Sequence, residues 1–183
     1  MLDNLINLVK KYAGNSIEQN PAIPNEKNED AVKETSNSIF DTLKNAASGA
    51  GLKDLLGMFS KGKADQNDPV VKDAMANATQ NLQNKFGIDE QEAAGIAGGV
   101  VPDVMNEMAQ KTADPADKSF NIQDIFNNLS GGQTLGTDMN SILSKFKAGL
   151  DKDGDGDVDL NDLKSLISGG AGGVMDKVKG MFK

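Results

Sequence analysis

The chain has no cysteine and no histidine among its 183 residues. The lack of cysteine excludes disulfides, thiol nucleophiles, zinc–thiolate sites and iron–sulfur clusters. The lack of histidine excludes a Ser-His-Asp triad, an imidazole base and histidine metal ligands. The sequence also shows no pair of carboxylates in an apolar setting, which acid–base catalysis would need. We therefore expect a protein that is not an enzyme.

Composition and charge argue against nucleic-acid and membrane partners. The formal net charge is −8, and one Tyr with no Trp leaves little for base stacking. The same acidic charge disfavours anionic membrane surfaces. No apolar run approaches the ~20 residues of a membrane span, and Met1-Leu2-Asp3-Asn4 lacks the basic and apolar segments of a signal peptide. We expect no nucleic-acid partner, no membrane span and a cytoplasmic location.

Apolar residues recur at helical spacing along the whole chain, without the alternation that is typical of a strand. Its 20 glycines divide this pattern into short segments. The sequence therefore predicts an all-α protein, a bundle of short helices that ends in one helix-loop-helix unit. Helices are predicted at residues 2–12, 26–47, 52–59, 69–86, 89–108, 122–129 and 138–149.

Local signals support several of these helix ends. Residues of the kinds that cap helices stand at Asn25, at Asp68 before Pro69, at Asp89 with Glu92 (a capping box), and at Asn121. Gly87 is expected to end a helix in the left-handed conformation. Residues 93–99 are rich in small side chains. Because each helical Gly costs roughly 1 kcal/mol relative to Ala, we expect this stretch to admit a closely packed helix. Pro102 is expected to kink or restart its helix.

One stretch, residues 151–162, carries six aspartates and one lysine, a local charge of −5. A Ca²⁺ ion needs about six or more oxygens, and alternate positions of an EF-hand loop supply them. Gly156 stands at position 6, where the backbone must turn sharply, and Val158 is the apolar residue of position 8. The candidate ligands are Asp151, Asp153, Asp155, Asp157 through its backbone carbonyl, Asp159 through a water, and Asp162. The pattern predicts one Ca²⁺-binding EF-hand.

The last loop position departs from the usual EF-hand pattern. A bidentate Glu generally stands there, whereas this chain has Asp162. Asp is one methylene shorter, which lowers the expected Ca²⁺ affinity and narrows the preference over Mg²⁺ at the same loop. The run also resembles a single dockerin repeat, a family that uses Asp here and carries two repeats in tandem. The alternative is a solvated acidic turn, since Asp and Gly favour turns in any case.

Apolar residues on both sides of the loop fit the two helices of an EF-hand. They are Ile142, Leu143 and Phe146 before the loop, and Leu163, Leu166 and Ile167 after it. A glycine-rich hinge at 169–173 follows. Residues 174–183 then form a last amphipathic segment, which either folds back onto the core or docks into a neighbouring molecule.

Residues 69–132 resemble the YidB-like bacterial family of unknown function. The likeness lies in Phe86-Gly87-Ile88-Asp89-Glu90-Gln91-Glu92-Ala93-Ala94 and in Val100-Val101-Pro102-Asp103-Val104-Met105. In that family a helix ends at Gly, an acidic cap opens the next helix, and an apolar pair precedes a Pro. The order of features along the chain is similar to that of Bacteroidetes proteins with one C-terminal EF-hand. The resemblance implies an all-helical, cytoplasmic bacterial protein and carries over no activity.

These patterns divide the chain into four predicted parts. They are an N-terminal helical region (1–62), a YidB-like helical domain (63–134), a single EF-hand (135–170), and a hinge with a C-terminal amphipathic helix (171–183). Each boundary follows a polar or glycine-rich stretch.

Three non-enzymatic functions fit these parts. In the first, Ca²⁺ orders the helix pair around the loop and acts as a structural ion. In the second, the protein is a self-assembling scaffold: EF-hands usually work in pairs, so a homo-oligomer or a protein partner would complete this one. In the third, Ca²⁺ exposes a Met-lined groove for a partner. Met105, Met108, Met175 and Met181 would line that groove, although Met at helical spacing is more often in a core.

Overall fold

The computed structural model describes residues 1–131, 138–141 and 143–144. Within these ranges the chain is helical and contains no strand, as predicted. The α-helices are α1 (Leu2–Tyr12), α2 (Asn28–Ser48), α3 (Leu52–Lys61), α4 (Pro69–Phe86), α5 (Glu90–Ala113) and α6 (Ile122–Leu129). A wide helical turn at Gly14–Glu18 and a 3₁₀ turn at Asn25–Lys27 join α1 to α2.

The helices share one hydrophobic core. Helix α4 packs against both α2 and α5, α1 lies across α2 and α5, α3 packs on α5 and α2, and α6 contacts α2. The buried cluster begins at Leu5 and extends to Leu143. Of the large apolar side chains in the described ranges, only Leu2 is exposed, at 36%. The bundle therefore covers its own apolar faces. The division into residues 1–62, 63–134, 135–170 and 171–183 stays a prediction.

A polar seam fixes how α2 and α4 lie against each other. Asn77 Nδ2 donates to the carbonyl of Ser38 (3.0 Å) and to Thr42 Oγ1 (3.2 Å), and Asn81 Nδ2 donates to Ser38 Oγ (2.9 Å). Ser38 is fully buried and Thr42 nearly so. Because a buried polar group needs a partner, these bonds favour one antiparallel register of the two helices.

Most of the predicted helix ends are confirmed. Asp89 and Glu92 form the capping box at the start of α5, with the Glu92 amide donating to Asp89 Oδ1 at 2.8 Å. Asn121 caps α6 through the amide of Asp124, also at 2.8 Å. Gly87 ends α4 in the left-handed conformation at φ +68°. Helix α4 also begins at Pro69 as predicted, but the side chain of Asp68 makes no capping hydrogen bond.

The predicted cap at Asn25 is wrong. Asn25 opens the 3₁₀ turn, in which the amide of Lys27 donates to the carbonyl of Pro24 at 2.7 Å. Helix α2 begins three residues later, at Asn28, and no side chain caps it. The extended backbone of Pro24 (ψ 139°) leads directly into the tight turn, so the turn takes the position that a side-chain cap would occupy.

Helix α3 runs to Lys61, two residues beyond its predicted end at residue 59. Nothing in Ser60-Lys61 breaks a helix, and Gly62, at φ +62°, supplies the left-handed end. The loop that follows is fastened to α5, since the amide of Ala64 donates to Asn106 Oδ1 at 3.1 Å. The polar stretch between α3 and α4 therefore begins at Gly62.

Helix α5 is continuous through Pro102, so the proline does not restart it. The predicted close packing of its small residues is correct only in part. Ala93 and Ala97 are fully buried, and a Cβ at Gly99 would lie 2.3 Å from Ser16 Oγ. Gly95 and Gly98 are exposed and face open space. The glycines on that face carry no packing reason in the described structure.

Candidate metal centre and its junction with the bundle

The six predicted ligands, Asp151, Asp153, Asp155, Asp157, Asp159 and Asp162, lie outside the described residues. The structure describes the segment that leads toward them. Residues 139–141 and 143–144 are helical, in agreement with the predicted entering helix at 138–149. Asp151 follows Ser144 by seven residues. The geometry that bears on the candidate site is therefore the attachment of this segment to the bundle.

Asp138 caps the start of the entering segment. Its Oδ1 accepts hydrogen bonds from the amides of Asn140 and Ser141, both at 3.1 Å, and its Oδ2 accepts from Ser141 Oγ at 2.7 Å. A carboxylate at this position satisfies amides that have no intrahelical partner and interacts favourably with the positive end of the helix dipole. The entering segment thus has a defined first turn.

Two apolar side chains attach that first turn to the core. Met139 is fully buried, and Leu143 is 8% exposed. Residues four apart lie on one face of a helix, so both side chains point into the bundle. The amide of Met139 also donates to Gln123 Oε1 of α6, at 2.8 Å. We call Gln123, Asp138, Met139 and Leu143 the junction.

Helix α6 gives the junction a fixed platform. Four of its eight residues are buried: Ile122, Ile125, Phe126 and Leu129. Gln123 lies beside this buried face, and its Nε2 donates to Asn127 Oδ1 at 3.3 Å. The Gln123 side chain is therefore held between Asn127 on its own helix and Met139 on the entering segment.

A polar cleft of about 500 Å³ lies beside the junction, lined in part by Asp114, Asp117, Asp124 and Asn140. Its carboxylates accept protein hydrogen bonds: Asp117 bonds Lys111 Nζ at 2.8 Å, and Asp124 bonds Asn121 Nδ2 at 2.5 Å. The bond from Lys111, and then those from Ser119, hold the pKa of Asp117 far below its usual range. Among the described residues, no three carboxylates converge as metal ligands. The cleft is not the predicted metal centre.

A second cluster joins α1 to α5. Glu107 Oε2 of α5 accepts hydrogen bonds from Lys11 Nζ and Tyr12 Oη of α1, each at 2.5 Å. Burial raises the pKa of Glu107, but the two hydrogen bonds and the charge of Lys11 outweigh it, so that the net pKa is lowered. The bond to Glu107 correspondingly raises the pKa of Tyr12. The cluster clamps α1 onto α5 while Glu107 is ionised.

Replacing Glu107 by Gln is expected to lower the free energy of unfolding by about 1–2 kcal/mol at pH 7, because a mostly buried carboxylate with two donors is lost. Since its folded pKa is lowered, Glu107 stabilises the fold fully above its unfolded pKa of about 4.3. That stability disappears as the pH falls through the folded value. Urea unfolding at pH 7 and at lower pH should show the variant losing less stability on acidification.

The control for this prediction is Glu29→Gln. Glu29 also faces α1, through Lys10 at 3.8 Å, but its side chain is 75% exposed. An exposed pair of this kind contributes about 0–1 kcal/mol. Equal losses in the two variants, or equal slopes against pH for Glu107→Gln and the wild-type chain, would contradict the clamp.

Comparison of the chain with protein-family models, with curated proteins and with solved structures finds no match. The resemblance of residues 69–132 to the YidB-like family therefore stays a prediction, as does the EF-hand. Among the described helices, none is both long enough and apolar enough to cross a membrane.

Sequence reasoning predicted a helix where residues 139–141 and 143–144 are helical, but it did not identify the junction residues Gln123, Asp138 and Met139. Asp138 had a readable signal, since an Asp at the start of a predicted helix is typical of an N-cap. Gln123 had none, because a polar residue beside the apolar face of a short helix usually faces water. Its role depends on which segment packs against α6.

Proposed function

We propose that this chain is a non-enzymatic Ca²⁺-binding protein in which the metal orders the helix pair on either side of residues 151–162. One observation carries the proposal: the spacing of Asp151, Asp153 and Asp155 before Gly156, with Asp162 at the last position. This spacing supplies oxygen ligands at alternate positions and a sharp turn between them.

The loop charge makes metal binding and folding one process. Six aspartates and one lysine within residues 151–162 leave a charge of −5, and these carboxylates repel one another when they are brought close. A bound divalent cation neutralises them, so its binding free energy becomes folding free energy of the two helices. With Asp162 at the last position, we expect weak Ca²⁺ binding and competition by Mg²⁺ in the cytoplasm, where we propose the protein acts.

The bundle supports a structural ion over a sensor groove. Met105 and Met108 are fully buried, so these two methionines are core residues. Apart from Leu2, the described ranges leave no large apolar side chain exposed. The other two candidate groove residues, Met175 and Met181, lie outside the described residues. The burial of Met139 and Leu143 in the core cluster supports an attachment of the entering helix to the bundle.

Titration of the metal-free protein with Ca²⁺ tests the proposal. We expect the helical circular dichroism signal and the melting temperature to rise together, with half-saturation at about 10⁻⁴–10⁻³ M. Mg²⁺ should produce a smaller effect at equal concentration. An unchanged spectrum and an unchanged melting temperature up to several millimolar Ca²⁺ would exclude the proposal and favour the solvated acidic turn.

Light scattering on the same samples separates the alternative, a self-assembling scaffold. A lone EF-hand can complete a pair with the EF-hand of a second chain. If the measured mass stays at one chain while the melting temperature rises, the ion is a structural element of a monomer. A mass that doubles only with Ca²⁺ would instead favour the scaffold, with the loop as its assembly switch.

A further inference from the structure

We infer that the junction couples the metal loop to the bundle, and that Gln123 is the positioning residue that sets the Ca²⁺ affinity from outside the loop. The inference rests on the proposed function, because it concerns regulation of the same site. It adds a residue and a helix that are no part of an EF-hand.

The first turn of the entering helix takes its hydrogen-bond acceptors from two side chains. Amides in a first turn have no intrahelical acceptor and need partners from elsewhere. Asp138 Oδ1 accepts hydrogen bonds from the amides of Asn140 and Ser141, and Gln123 Oε1 accepts one from the amide of Met139. The Met139 bond crosses from the entering segment to α6, so Gln123 is a polar link between the bundle and the start of the predicted EF-hand.

Burial then fixes the direction of that helix. Met139 and Leu143 are both in the core cluster, and they stand one turn apart on the same face. Two buried side chains in successive turns, together with a polar bond at the first of them, constrain both the position and the rotation of the helix. Asp151 follows Leu143 by eight residues.

Metal binding and docking of the entering helix at the junction are thermodynamically linked. Metal binding requires an ordered entering helix, and docking at the junction orders the same helix. Each event therefore lowers the conformational cost of the other, and the coupling is equal in both directions. A chain whose entering segment is docked at the junction should bind Ca²⁺ more tightly. Conversely, bound Ca²⁺ should stabilise the docked junction.

The test compares Ca²⁺ dissociation constants of the full chain by calorimetry in the wild type, in Gln123→Ala and in Gln80→Ala. Gln80 is an exposed residue of α4 and controls for the loss of a helical glutamine. Since one hydrogen bond is lost, we expect Gln123→Ala to raise the dissociation constant by about fivefold. Gln80→Ala should leave it unchanged. Hydrogen exchange of the Met139 amide should be slowed by Ca²⁺ in the wild type and should be faster in Gln123→Ala.

A second variant, Gln123→Glu, keeps an acceptor for the Met139 amide and should recover part of the affinity. The outcomes separate the two proposals. If the wild type binds Ca²⁺ and Gln123→Ala binds equally well, the coupling is overturned while the proposed function stands. If the wild type binds no Ca²⁺, the proposed function itself fails, and the coupling fails with it.

Discussion

Replacing Gly62 by alanine should lower the free energy of unfolding by about 2–3 kcal/mol. Gly62 ends α3 at φ +62°, a left-handed conformation that strains any residue with a Cβ. The added Cβ would also lie 2.7 Å from the Cβ of Ala113, at the end of α5. Neither atom can rotate away, because each Cβ is attached directly to the backbone. Equilibrium urea unfolding would measure the loss.

Gly87→Ala is the matched control. Gly87 also ends a helix in the left-handed conformation, at φ +68°, but an added Cβ there meets no atom within 4 Å. This variant should therefore lose only the backbone term, about 1–2 kcal/mol. The difference between the two variants isolates the contact between the end of α3 and the end of α5.

A double variant identifies that contact directly. Ala113→Gly removes the atom that the new Cβ would meet, so Gly62→Ala combined with Ala113→Gly should recover the packing part of the loss. The two substitutions would then be non-additive, as expected for residues in contact. Additive effects, or equal losses in Gly62→Ala and Gly87→Ala, would show that α3 and α5 do not approach each other as described.

Helix ends that depend on neighbours in sequence could be predicted from the sequence. The capping box at Asp89 and Glu92, the cap at Asn121 and the left-handed Gly87 were identified because each uses backbone groups within a few residues. The predicted cap at Asn25 is wrong for a reason that is also local: the chain after Pro24 forms a 3₁₀ turn instead of the first turn of an α-helix. Sequence patterns do not separate these two short-range hydrogen-bonding schemes well.

Features that depend on distant neighbours could not be predicted. Gly99 meets Ser16, whereas Gly95 and Gly98, on the same helix, meet nothing. The sequence pattern predicts the same close packing for all three glycines. Only the position of the turn at Gly14–Glu18, which contains Ser16, distinguishes Gly99 from the other two. Gln123 is a second example, because its acceptor role requires that the segment at Met139 return to α6. The metal-ligand pattern differs from both examples, because it can be read from the sequence alone. Its six aspartates lie outside the described residues.

Removing a ligand from the Asp-rich loop should have the largest effect on metal binding. Asp151→Asn keeps the size of the side chain but removes one of the charged oxygens at the first position. Because EF-hand affinity follows the count of charged ligands, we expect the Ca²⁺ dissociation constant to rise by about 10- to 100-fold. Calorimetric titration measures this, with Asp41→Asn as the control, since it removes the same charge from an exposed position on α2.

Asp162→Glu tests the same loop in the opposite direction. The extra methylene lets the last carboxylate reach the ion with both oxygens, so Ca²⁺ should bind about tenfold more tightly. Mg²⁺ should gain little, because its small octahedral shell does not accommodate a bidentate carboxylate well. Weaker Ca²⁺ binding in Asp162→Glu, or unchanged binding in Asp151→Asn, would mean that the aspartates do not act as EF-hand ligands. A gain at position 12 with a loss at position 1 is not expected of a solvated acidic turn, for which Asp162→Glu, a change that keeps the charge, should leave Ca²⁺ binding unchanged.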